Sequence, residues 1–270
     1  EMIKAVVVAS ANDAAVALAE YISGSEDLFV SQMNEKAQGL FMGDTVFKNC
    51  NGLDEDGHVT SANDVAIMSR ELIKHPKIFE YTSIWMDYLR DGKTQLVNTN
   101  KLLKSYNGIT GLKTGTTDAA GCCISATAKR GNLSLIAVVL GGKTGKERFK
   151  DASTLLDFGF ANYNMMEPTV SEDIFEPIKV LNGMKQYVNI KAEVDGNILI
   201  KKGKEHSVEH MIELVSQITA PVHVGQIVGH LIYKINDETV AEYDVIATED
   251  IGEINFLSSL KELFRNIFCV

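Results

Sequence analysis

The chain has 270 residues, 45% hydrophobic and 23% charged, which is room for one large or two modest domains. Its formal charge of -10 argues against a nucleic-acid partner, which requires a basic footprint, and leaves cationic or small neutral ligands open. Cys50, Cys122, Cys123 and Cys269 show no metal-ligand spacing, no apolar run reaches the roughly 18 residues of a membrane-spanning helix, and residues 1–9 lack the basic start of a signal peptide.

Residues 2–9 are largely apolar and run into Ser10-Ala11-Asn12-Asp13, after which Ala14 to Tyr21 reads as a helix capped by Asn12 or Asp13. Ser25-Glu26-Asp27 caps a second helix from Leu28 to about Gln38, closed by Gly39. Val46 to Asn49 is a short extended piece, and Asn51-Gly52 and Glu55-Asp56-Gly57-His58 carry turn chemistry. Thr60 to Asp64 opens a third helix, which stops before His75-Pro76. His58 and His75 stand beside turn signals and belong to no cluster.

From about Thr94 the pattern changes to strands: Gln95 to Asn98, then Leu102-Leu103, then the stretch around Lys113. Cys122–Ala128 and Leu133–Leu140 form a hairpin around Lys129-Arg130-Gly131-Asn132. Gly141 to Lys146 is a glycine-rich turn without the spacing of a phosphate loop. A helix from about Glu147 to Tyr163 follows, and Glu167-Pro168 and Glu176-Pro177 mark a break.

Beyond the break the chain is β-rich. Tyr187–Val194, Ile198–Ile200, Gln226–Tyr233 and Val240–Val245 read as short strands of a small sandwich or barrel. It carries no catalytic cluster and reads as a spacer or docking module. In the last residues Phe256, Leu257, Leu260, Leu263, Phe264, Ile267 and Phe268 fall at helical spacing. That amphipathic helix either lies on a membrane surface or packs on its own protein. The divisions are therefore 1–168, 169–252 and 253–270.

Chemistry concentrates at Lys113-Thr114-Gly115. The ammonium supplies positive charge, the hydroxyl can hydrogen-bond a carboxylate, and the glycine lets a substrate backbone approach where a Cβ would intrude. Ser10-Ala11-Asn12 and Lys113-Thr114-Gly115, in this order, resemble the second and third signatures of the penicillin-recognising serine enzymes, with Ala11 in place of Asp. Asn51 to His58, Gly111 to Asp118 and Gly141-Gly142-Lys143-Thr144 extend the resemblance to the low-molecular-weight D-alanyl-D-alanine carboxypeptidases, the S11-type peptidases.

The resemblance implies an α+β fold: helices on an antiparallel sheet, then a small β-rich domain and an amphipathic anchor. It implies an acyl-enzyme peptidase that removes terminal D-Ala from peptidoglycan stem peptides, recognises β-lactams and works on the outer face of the cytoplasmic membrane, without metal or organic cofactor. Carried over, Ser10 relays protons, Asn12 hydrogen-bonds the substrate carbonyl and Lys113 holds the field positive. Thr114, Gly115 and Thr116 line the acceptor edge, with the Thr116 N–H an oxyanion donor. Arg148 receives the terminal carboxylate, a task that suits a guanidinium.

One departure is large. The family's nucleophile and base form a Ser-x-x-Lys pair upstream of Ser-x-Asn, where this sequence has almost nothing. The single literal match, Ser258-Ser259-Leu260-Lys261, falls in the terminal helix and reads as coincidence. The expectation is an incomplete penicillin-recognising domain, N-terminally truncated, that lacks the acylating Ser, its Lys and one oxyanion donor and leaves apolar surface uncovered. A non-catalytic peptidoglycan-binding or interaction protein on the same scaffold is the alternative. A β-lactamase is disfavoured by the absence of a Glu-x-x-Leu-Asn-type motif and by the β-rich tail.

Overall fold

The structure, a computed structural model, describes residues 1–168, 170 and 174–254. Two compact units divide between Asn162 and Tyr163. The terminal helix expected over 253–270 lies, from residue 255 on, outside the described residues.

In the first unit α1 (Met2–Lys4) continues into a π turn, Ala5–Ala9. The Ala11 N–H donates to the Ala5 carbonyl at 3.2 Å, and such widened turns concentrate at functional sites. Ser10 ends the turn at φ 60° and ψ 42°, a left-handed conformation uncommon outside glycine. Helix α2 (Asn12–Ser23) starts directly behind it, with Ala11 in the capping position and no side-chain cap. The expected cap at Asn12 or Asp13 is thus corrected. The reversal at Ser10 places Asn12 already inside the helix, and Asp13 Oδ1 accepts from the adjacent Ala14 N–H instead.

Helices α3 (Glu26–Gly39) and α4 (Ala62–Leu72) begin as the sequence indicates: Ser25 Oγ accepts from the Leu28 N–H at 3.3 Å and Ser61 Oγ from the Asp64 N–H at 3.2 Å. Two short elements were not foreseen, helix α5 (Phe79–Thr82) and strand β1 (Met86–Leu89), which pairs antiparallel with β2 (Thr94–Val97). Leu102 and Leu103 lie in a one-turn helix, α6 (Leu102–Ser105), and in no strand. Asn100 Oδ1 accepts the Leu102 N–H at 3.1 Å, a local side-chain bond that diverts the backbone from strand pairing.

The sheet of this unit runs β3 (Ile109–Thr117), β4 (Gly121–Arg130), β5 (Leu133–Gly142), all antiparallel. The β4–β5 connection is Gly131-Asn132, with Gly131 at φ 58°, the first-position requirement of a II′ hairpin turn. Ile124 through Ala128 of β4 are all buried, so this central strand shows no polar-out alternation. Ser125 Oγ lies 2.7 Å from Ser69 Oγ of α4. Helix α7 (Gly145–Asn162) packs on β4 and β5 and buries Leu156 to 1% exposure.

The second unit builds three small sheets around one apolar core centred on Val188, Val222, Leu231 and Val245. Their strands are β6 (Tyr163–Met166), β7 (Ile178–Leu181), β8 (Tyr187–Val188), β9 (Ile190–Ala192), β10 (Ile198–Lys201), β11 (Val208–Leu214), β12 (Gln217–Thr219), β13 (Ile227–Ile235) and β14 (Glu238–Ala247). The orders are β10-β6, β12-β7-β8 and β11-β13-β14-β9. The single strand expected over Tyr187–Val194 is broken. The Asn189 carbonyl accepts from both the N–H and the hydroxyl of Thr248, each at 3.0 Å, so β8 pairs with β7 while β9 turns to pair with β14.

Candidate active site

Strand β3 lies at the edge of its sheet among the described residues and presents Lys113-Thr114-Gly115-Thr116 to a cleft whose other walls are the π turn and residues 50–60. The cleft measures about 1360 Å³, above the roughly 300–1,000 Å³ of small-molecule pockets, and suits an extended peptide. Among the described residues that line it, the one lysine is Lys113. The Nζ donates to Ser10 Oγ and to the Thr114 carbonyl, both at 2.8 Å. Burial, and then the nearby Arg148 charge, hold the Lys113 ammonium down to about 8.

Asn12, one helical position past the reversal at Ser10, lines the same cleft and makes no side-chain hydrogen bond among the described residues. An ideal Cβ on Gly115 would meet nothing within 4 Å, so the strand surface there is open to a ligand. Thr114 is buried, and its Oγ1 sits 2.6 Å from Thr99 Oγ1. The Thr116 hydroxyl donates to the Gly115 carbonyl at 2.8 Å.

Arg148 stands apart from this group. It is 7% exposed and does not line the cleft itself. From the start of α7 its Nη1 donates to the Gly115 carbonyl at 2.9 Å, to Thr116 Oγ1 at 3.2 Å and to the Cys123 carbonyl at 3.1 Å. No carboxylate pairs with it among the described residues, and its Nε is buried without a partner. A buried guanidinium without a counter-charge is costly to hold, and it makes this end of β3 an anion-attracting site.

Of the seven residues singled out in the sequence, the fold therefore gathers Ser10, Asn12, Lys113, Thr114, Gly115 and Thr116 on one cleft and sets Arg148 behind its floor. Two further contributors carried no assigned role. Asp54 Oδ2 accepts the Ala119 N–H at 3.2 Å and so ties the 50–60 loop to the β3–β4 turn. The Thr117 hydroxyl, followed by that N–H, holds the Asp54 carboxyl below its ordinary value. Thr99 is the second. The signal for Asp54 was present in the turn sequence Asn51-Gly52-Leu53-Asp54, whereas Thr99 gave none. His58 lines the cleft, but its Nδ1 accepts the Lys48 N–H at 3.4 Å. Cys50, Cys122 and Cys123 are free thiols. Among the described residues no group of acidic, His or Cys side chains could hold a metal ion, and no helix is long and apolar enough to cross a membrane.

Helices packed on an antiparallel sheet, with Lys-Thr-Gly on its edge strand hydrogen-bonded to a Ser-x-Asn turn, define a penicillin-recognising fold. The chain belongs to the D-alanyl-D-alanine carboxypeptidase family, peptidase S11: residues 1–144 match that family's model, and residues 163–253 match the C-terminal domain of penicillin-binding protein 5. It is 43% identical over 265 residues to the D-alanyl-D-alanine carboxypeptidase DacF of Bacillus subtilis, covering 97% of this chain and 68% of that protein. DacC of Escherichia coli is 34% identical over 94% of this chain and 64% of its own length. Penicillin-binding protein 5 from Haemophilus influenzae superposes with a TM-score of 0.81 at 33% identity, over 93% of this chain and 74% of that one. The chain thus spans about two thirds of the length of the curated relatives it matches.

Proposed function

We propose that this chain forms the substrate-binding face of a serine-type D-Ala-D-Ala carboxypeptidase that trims peptidoglycan stem peptides outside the cytoplasmic membrane, with the amphipathic sequence pattern of its last residues as the membrane-docking element. The observation that carries this reading is the Lys113–Ser10 hydrogen bond at 2.8 Å, beside an unpaired buried Arg148. The peptide lies along β3. Asn12 meets its carbonyl, and the terminal carboxylate takes the Thr114 and Thr116 hydroxyls, with Arg148 supplying charge through Thr116. In the family's reaction a serine hydroxyl other than Ser10 loses its proton to a neighbouring base as its oxygen bonds to the penultimate D-Ala carbonyl carbon, and the C–N bond to the terminal D-Ala breaks. The leaving amine takes a proton delivered through Ser10 and Lys113, and water then cleaves the ester.

Binding without acylation is the form of this reading that applies to the 270 residues themselves. Among the described residues the cleft is lined by one serine and one lysine, Ser10 and Lys113, already paired with each other. With that pair assigned to proton delivery, the described residues of the cleft offer no further serine and lysine to serve as nucleophile and base. The test has two arms. Calorimetric titration with a diacetylated Lys-D-Ala-D-Ala peptide is expected to give binding that is lost with the carboxamide-ended peptide and weakened in Arg148→Gln. Incubation with a fluorescent penicillin is expected to leave no label on the denatured chain. Absence of binding by the free-acid peptide refutes the assignment, and a covalent band refutes the inactivity.

A further inference from the structure

Thr99 is absent from every motif, yet it touches both walls of the cleft. Its N–H donates to the Val8 carbonyl at 3.3 Å, two residues before Ser10, and its hydroxyl lies 2.6 Å from that of Thr114. The loop holding it is fixed by two buried carboxamides. Asn98 donates through Nδ2 to the Ile84 carbonyl at 2.8 Å and accepts the Asn100 N–H at 2.8 Å, and Asn100 accepts the Leu102 N–H at 3.1 Å. Asn98 is 4% exposed and Asn100 is 0% exposed, so Thr99 is held from both sides. Thr99 does not itself line the cleft.

We infer that Thr99 is a positioning residue that fixes the Thr114 hydroxyl for an incoming carboxylate. A hydroxyl has one proton and two acceptor sites. When Thr99 donates to Thr114 Oγ1, the Thr114 proton stays free for the ligand, and the two bonds in series polarise each other. Lys113 grips the Thr114 carbonyl on the backbone side, so Thr99 governs the remaining freedom of that residue, its χ1 rotation. The inference rests on the proposed binding of a carboxylate-ended peptide, but its structural half stands without a ligand.

The experiment compares wild type, Thr99→Val and Thr99→Ser in the full chain. Val keeps the shape and removes the hydroxyl; Ser restores it. Three-bond couplings from the Thr114 methyl carbon to the backbone nitrogen and carbonyl report its χ1. A single rotamer is expected in wild type and Thr99→Ser, with averaging in Thr99→Val at unchanged melting temperature. Affinity for the free-acid Lys-D-Ala-D-Ala peptide is expected to fall about tenfold in Thr99→Val, the loss of one hydrogen bond, with Thr99→Ser equal to wild type. A single Thr114 rotamer in Thr99→Val overturns the inference whether or not the peptide binds. So does an affinity that stays at the wild-type value or is not restored by Ser. If wild type binds no peptide while the couplings change as stated, the proposed function falls and the positioning of Thr114 by Thr99 stands.

Discussion

Lys113 and Ser10, 103 positions apart in the chain, meet at 2.8 Å because a π turn reverses at Ser10 while β3 carries Lys113 along the sheet edge. The bond holds a half-buried ammonium against a hydroxyl. The chemistry of the cleft depends on which of the two carries the proton.

The Lys113 ammonium is expected to titrate near 8 rather than at its ordinary 10.5. Burial is the larger cause and Arg148 the second, so Arg148→Gln should raise the value without restoring it fully. Because the folded value lies below the unfolded one, the folded chain releases this proton first. Stability through this group therefore rises as pH climbs from 8 towards 10.5, by about 3 kcal/mol against Lys113→Met. Side-chain NMR titration of Lys113 checks the value, and chemical unfolding at stepped pH checks the sign. An ordinary Lys value in wild type would contradict both.

Asp54 should act as a pH-dependent tie between the 50–60 loop and the β3–β4 turn. Its carboxyl is lowered chiefly by the Thr117 hydroxyl and then by the Ala119 N–H. The contribution is therefore complete above the ordinary carboxyl value of 3.8 and disappears as pH falls through the lowered one. Amide exchange at Ala119 is expected to quicken in Asp54→Asn at neutral pH, where wild type remains protected. Equal exchange in the two proteins would show that the turn holds itself.

Gly111 should tolerate no side chain. Its φ is 145°, and a Cβ there would stand 2.5 Å from Thr82 Cβ in α5. The nearest atom is Thr82 Cβ, which side-chain rotation leaves in place, so the clash can relax only if the backbone of α5 or β3 shifts, and the Thr82 hydroxyl ties the two together by donating to the Thr110 carbonyl at 2.7 Å. Gly111→Ala is expected to destabilise the first unit by about 2 kcal/mol or more. Thermal unfolding measures it, and a melting temperature within a degree of wild type would show that α5 yields.

The local elements were largely legible. Ser25 and Ser61 announce α3 and α4 because a cap is a contact across three residues. The β4–β5 hairpin is written in Gly131-Asn132 for the same reason. The two departures have different causes, one a local side-chain bond that competes with strand pairing and one a contact made at long range. Leu102-Leu103 has an apolar strand's look, but Asn100 turns it into α6, and Tyr187–Val194 alternates smoothly until Thr248 takes the Asn189 carbonyl and sends its two halves to different sheets.

By itself, the sequence determined which chemical groups are present and in what order: a Ser-x-Asn, a Lys-Thr-Gly, an Arg at the head of α7, and a β-rich second unit. Those are properties of neighbours along the chain. Tertiary structure alone decided that Ser10 takes a left-handed backbone, that Arg148 sits behind the floor of the cleft, and that Thr99 touches Thr114 and Asp54 the β3–β4 turn. A hydrogen bond between residues far apart in sequence depends on packing, and packing leaves no pattern in the residues on either side.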